Sequence, residues 1–113
     1  MRIGRVYDAI DDLGPRVLVD RLWPRGMKRG DPRVGTWLKE VAPSTELRRW
    51  YGHVPERHAE FVTRYTAELD AGCPELTQLL VMTRTADVLL VTATKDVAAS
   101  EVPVLARWLK AHL

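Results

Sequence analysis

The sequence predicts one small α/β domain over residues 1–113, with a mostly parallel sheet of about three strands, about four to five helices and Rossmann-like layering, two or three layers deep. Three observations lead there. Val17-Leu18-Val19 and Val88-Leu89-Leu90-Val91 are continuous apolar runs, the pattern of strands buried on both faces. Between them lie stretches whose apolar residues recur at helical spacing. Both runs end on an acid beside a base, Asp20-Arg21 in one and Lys95-Asp96 in the other.

The bulk composition bounds the rest. A chain of 113 residues with 46% apolar residues has enough material for one core and too much for disorder. The net charge of +2 falls well short of a protein that coats nucleic acid. Cys73 is the one cysteine, so no internal disulfide forms, which suits a reducing compartment. No apolar run is long enough for a signal peptide or a membrane span. The expected location is therefore cytoplasmic, with no membrane partner; the assembly state is not legible.

In chain order, Ile3, Val6 and Tyr7 mark a first strand over 3–7, and Asp11-Asp12-Leu13-Gly14-Pro15 marks a turn. The short spacing to the next strand, Arg16 to Asp20, favours a hairpin between the two. Residues 21–33 form a basic loop, with Arg21, Arg25, Lys28, Arg29 and Arg33 against Asp31 alone. Val34, Trp37, Leu38 and Val41 predict a short helix over 33–41, closed by Pro43. Ser44 is a natural cap for a second helix that Gly52 ends. Pro55 opens a longer helix with Phe61, Val62, Tyr65 and Leu69 inward, stopped by Gly72. Pro74 opens another, carrying Leu76, Leu79 and Leu80. After the strand at Val88–Val91, a last helix places Val102, Leu105, Ala106 and Leu109 inward; Pro103 belongs in its first turn, which puts the start near 101.

The densest chemistry is Asp20-Arg21-Leu22-Trp23-Pro24-Arg25-Gly26. If the two core strands run parallel, their carboxyl ends lie side by side, and ligands of open α/β sheets bind outside those ends. Asp20, Arg21, Arg25, Lys95 and Asp96 would then meet in one crevice, either as a site or as salt bridges between strand ends and loops.

The run from Val17 to Gly26 resembles the signature of the YeaO-like branch of the domain-of-unknown-function family number 488. The likeness continues through Trp37-Leu38-Lys39-Glu40, Ala42-Pro43-Ser44, Leu47-Arg48, Trp50-Tyr51-Gly52-His53, Phe61, Tyr65, Glu68-Leu69 and Lys95-Asp96. The resemblance implies a compact bacterial α/β domain and brings no established activity. Members usually carry an Asn- and His-containing run before the last helix. Here that stretch is Val97-Ala98-Ala99-Ser100-Glu101-Val102-Pro103, so those side chains are absent or Ser100 and Glu101 stand in.

The leading functional expectation is a small anionic or phosphorylated ligand held by Arg21 and Arg25, whose planar forks match phosphate and carboxylate, with Lys39, Arg48 and Lys95 adding charge. Asp20, Asp96 and His53 are the candidates for acid–base work, although a cap explains His53 equally well. Trp23, in a loop between arginines, either plugs the crevice floor or stacks on a flat ligand; the plug is favoured. No cofactor is expected, because glycine-rich nucleotide loops are missing. No metal is expected, because ligand spacing for zinc is missing. The alternative reading is a nucleic-acid-binding or regulatory protein, acting through the basic segment Arg16–Arg33.

Overall fold

A computed structural model describes all residues, Met1–Leu113. Its centre is a fully parallel four-stranded sheet in the order β1-β4-β2-β3: β1 Arg2–Arg5, β2 Arg16–Leu18, β3 Thr36–Trp37 and β4 Leu89–Thr92. The register sets Ile3 against Leu90 on one side of β4 and Val17 against Leu90 on the other. Every residue of β4 is buried, as an apolar run flanked on both edges requires.

The expected hairpin does not form. β4 inserts between β1 and β2, with Arg2 N–H donating to Val88 O and Leu89 N–H to Pro15 O. The connection from β1 to β2 is a short crossover held by Arg16, only 6% exposed. Its guanidinium donates to the carbonyls of Val6 (3.0 Å), Asp8 (3.3 Å), Ala9 (3.4 Å) and Arg33 (2.7 Å). Those bonds fasten a turn that has no helix of its own.

The helix expected over 33–41 is also replaced. The chain makes β3 and then a single 3-10 turn, Lys39–Val41. Val34 and Trp37 pack on one side of the sheet and Leu38 and Val41 on the other, so their spacing does not mark one helical face. Gly35 sits at φ 66°, and a Cβ there would come within 2.2 Å of Arg16 O. This close approach lets β3 reach β2.

The four helices are α1 Thr45–Tyr51, α2 His58–Ala71, α3 Pro74–Thr85 and α4 Val102–Ala111. Ser44 Oγ accepts from Leu47 N–H (3.2 Å), and Gly52 closes α1 in the left-handed region at φ 50°. All four helices contribute to one apolar cluster with Val17, Val19, Val88 and Leu90. The opposite sheet face, Leu18, Leu89 and Val91, is covered by Val6, Met27 and Val34, with Trp23 and Trp37 packed against them. The arrangement is thus two layers of regular structure, with the β2–β3 loop as the second cover. No helix is long and apolar enough to cross a membrane.

Candidate functional site

Because β2 and β4 are parallel neighbours, Asp20 and Ala93 meet just past their carboxyl ends, and Asp20 Oδ2 accepts from Ala93 N–H (2.8 Å). An open crevice of about 600 Å3 lies there, within the range of small-molecule sites. The loop after β2 supplies Asp20 through Arg25; the end of β4 supplies Ala93 and Thr94. Arg48, Arg49, Tyr51, Gly52 and His53 come from α1 and its cap, and Ser100 and Glu101 from the start of α4.

The predicted residues divide here. Arg21 reaches the crevice, but its fork is engaged: Nε donates to Pro43 O (3.1 Å), Nη2 to Ala42 O (3.1 Å) and Nη1 to Glu40 Oε2 (3.4 Å). Its geometry holds the chain between the 3-10 turn and α1. Arg25 is exposed, and its main chain is fixed by Tyr7, whose hydroxyl donates to Arg25 O (2.9 Å). The side chains of Arg25, Arg48 and Arg49 line the crevice, and no hydrogen bond or ion pair within the chain involves them.

Lys39, Lys95 and Asp96 stand outside the lining. The Lys39 ammonium lies 5.6 Å from the centre of the Trp37 ring. Asp96 caps a 3-10 turn, its Oδ1 accepting from Ala99 N–H (3.3 Å). Trp23 lines the crevice; its Nε1 donates to Met27 O (2.8 Å), and its ring meets Trp37 edge-on at 5.4 Å. Trp37 Nε1 in turn donates to Asp20 O (2.7 Å), bracing the strand end.

His53 is the one residue other than glycine with positive φ, 56°, directly after left-handed Gly52. For a histidine this backbone is uncommon and costly. It turns the chain so that His53 lines the crevice beside Tyr51, with ring centres 5.4 Å apart. Tyr51 stacks on Phe61 at 4.2 Å, donates to Ala99 O (2.9 Å) and pairs with His58 Nδ1 (3.0 Å). Burial, and then the charge of Asp96, raise its hydroxyl pKa.

Sequence reasoning raised Glu101 only as a stand-in and missed Arg49, Tyr51 and Tyr7 as lining residues. Glu101 is 9% exposed and lines the crevice together with Asp20. Burial, and then the Asp20 charge, hold its carboxyl well above the usual carboxylate range. Its position immediately before the Val102-Pro103 helix start was the available signal; a fold-distant partner such as Asp20 was not visible. No group of three or more His, Cys, Asp and Glu side chains is arranged to hold a metal ion.

A four-stranded parallel sheet packed with four helices defines a small α/β domain. The chain belongs to the DUF488 family: the profile described as the inactive DUF488-N3 subclade matches residues 1–113. It is 52% identical over 110 residues to an uncharacterized protein of Mycobacterium tuberculosis, covering 96% of this chain and 92% of that one. An uncharacterized protein of Mycobacterium bovis matches to the same extent, 52% over 110 residues with the same coverage. Against the uncharacterized protein YeaO of Escherichia coli the identity is 40% over 108 residues, 94% of this chain and 93% of that one. No solved structure matches the chain.

Proposed function

We propose that the protein binds a small anionic or phosphorylated ligand in the crevice at the carboxyl ends of β2 and β4. The observation that carries this reading is the set of unpaired arginines. Arg25, Arg48 and Arg49 line one concave space and leave their forks free, although carboxylates elsewhere in the chain are paired. Guanidinium forks match phosphate and carboxylate bidentately. His53, at its costly backbone angle, lines the same space. The reading is one of binding before catalysis, in keeping with the word inactive in the subclade's description.

Nucleic-acid binding has less support. Trp23 in the basic loop and Trp37 on β3 already have cations near their rings: Arg29 lies 5.1 Å from the Trp23 ring centre and 6.0 Å from that of Trp37, and Lys39 approaches Trp37 as well. Bases would have to displace them to stack.

Thermal unfolding across inorganic phosphate, pyrophosphate, citrate, mononucleotides and short oligonucleotides tests the reading. A ligand at about 100 times its Kd stabilises by roughly 2.7 kcal/mol. Arg25→Ala should weaken a bound small anion by roughly 1.5–3 kcal/mol, about 10- to 150-fold, with little change in the unliganded Tm, because only the side chain is removed and the bond from Tyr7 goes to the main chain. Stabilisation by oligonucleotides alone, lost steeply with salt, would replace this reading with the nucleic-acid one. No stabilisation by any anion would end it.

A further inference from the structure

The crevice has two chemically distinct ends. Arg25, Arg48 and Arg49 are exposed at its opening, while the Asp20–Glu101 pair is withdrawn into it. The two ends do not neutralise each other, since no ion pair joins any of these arginines to either acid. Glu101 is nine-tenths buried, lines the crevice, and its carboxyl meets no ion-pair partner or side-chain donor within the chain. A buried acid that served solely to join β2 to α4 would gain more from a basic or N–H partner than from a second carboxyl. Tyr51 and Phe61, stacked at 4.2 Å, add apolar surface to the same lining.

Resting on the anion-binding reading above, we propose that the ligand is bipolar: a small molecule whose acidic group, phosphate or carboxylate, meets the arginines, and whose amine is held as an ammonium by Asp20 and Glu101. Two carboxyl groups in one crevice lining offer acceptor oxygens for the N–H donors of one ammonium.

The test compares three probes by titration calorimetry: phosphoethanolamine, inorganic phosphate and ethanolamine. The expected result is that phosphoethanolamine binds at least tenfold more tightly than phosphate, and that ethanolamine alone binds weakest. In the Asp20→Asn, Glu101→Gln double variant, which keeps shape and hydrogen-bonding capacity, that advantage disappears while phosphate affinity stays or rises. Should the double variant fail to fold, the wild-type protein decides. Its relative affinities for the three probes read the same contrast without any substitution. Equal affinity for phosphate and phosphoethanolamine overturns the bipolar inference and leaves anion binding standing. Absence of binding by phosphate and phosphoethanolamine alike overturns both.

Discussion

At the scale of single residues, Glu101 makes the sharpest claim about the folded state. Its folded pKa is raised above the 4.5 of a free glutamic acid, chiefly by burial and then by Asp20. The folded protein therefore holds a proton that the unfolded chain has lost above about pH 4.5. More protons bound in the folded state means that stability falls as pH rises, from the unfolded pKa up through the folded one. Glu101→Gln cannot ionise and should remove that fall. Its Tm relative to wild type should increase between pH 4.5 and pH 8, read by thermal unfolding; an identical pH slope in both proteins would contradict a raised Glu101 pKa. Asp31 works in the opposite sense. Its hydrogen bonds to Arg33 lower its pKa to about 2, so its contribution is present above the ordinary aspartate range and is lost as pH falls toward 2. His53 supplies a second residue-level prediction. Left-handed backbone costs an ordinary residue about 1–2 kcal/mol, and glycine escapes it while losing more chain entropy on folding. His53→Gly should thus be neutral or stabilising by up to about 1 kcal/mol in denaturant unfolding, yet weaken the anion if the ring faces the ligand. Much of this chemistry was legible from residue type, including Asp20, Arg25, Arg48 and His53. What was not legible was engagement. Nothing in the order of residues shows that Arg21 is occupied by Pro43, Ala42 and Glu40, or that Lys95 and Asp96 lie outside the crevice lining.

At the scale of elements, signals tied to local backbone chemistry were the readable ones. Ser44 was expected to cap a helix ended by Gly52, and α1 runs between them. The cap carries more than its own turn, because Glu68 on α2 accepts from both Ser44 N–H (2.8 Å) and Ser44 Oγ (2.7 Å). Ser44→Ala removes the bond to Leu47 and one of the two to Glu68, and should cost about 1–2 kcal/mol, the upper part of the range for an N-cap. Denaturant unfolding gives the number, and a loss below about 0.5 kcal/mol would mean that water replaces both partners without penalty. The element that misled was β3. Apolar spacing at Val34, Trp37, Leu38 and Val41 imitates a helix, but the stretch crosses the sheet edge and feeds both apolar clusters. Gly35 was the clue. Its left-handed backbone and contact with Arg16 O serve a strand packed closely on β2 and would be wasted in a helix. The β1–β2 hairpin failed for a different reason: a short spacing suggests adjacent strands, but no local rule announces that β4, more than seventy residues later, will come between them.

At the scale of the whole molecule, the parallel sheet is what makes a crevice from distant parts, and its central strand should be the last piece to open. β4 is hydrogen-bonded on both edges and buried on both faces. Its two faces are covered unequally: helices α1 to α4 pack over Leu90, whereas Leu89 and Val91 lie under the β2–β3 loop. That loop is attached by side chains. Tyr7 bonds to it through Arg25 O, and within it Trp23 bonds to Met27 O, but no main-chain N–H from residue 21 to residue 30 donates a hydrogen bond within the chain. Exchange of an amide proton requires its hydrogen bond to open, so protection should follow this division. Amides of 21–30 should exchange within seconds at neutral pH, while those of Leu89–Thr92 should exchange only through global unfolding, as measured by hydrogen–deuterium exchange with peptide resolution. Leu90→Ala, which empties space at the centre of the helix-covered face, should cost about 2–5 kcal/mol and speed exchange of β4 by the same free energy, leaving the loop rates unchanged. Slow exchange throughout 21–30 in the free protein would mean that the loop is a rigid cover. An anion bound between Arg25 and α1 should slow exchange at the crevice end of the loop, because the ligand then ties Arg25 to Arg48 and Arg49; the same anion should leave the loop rates of Arg25→Ala where they were.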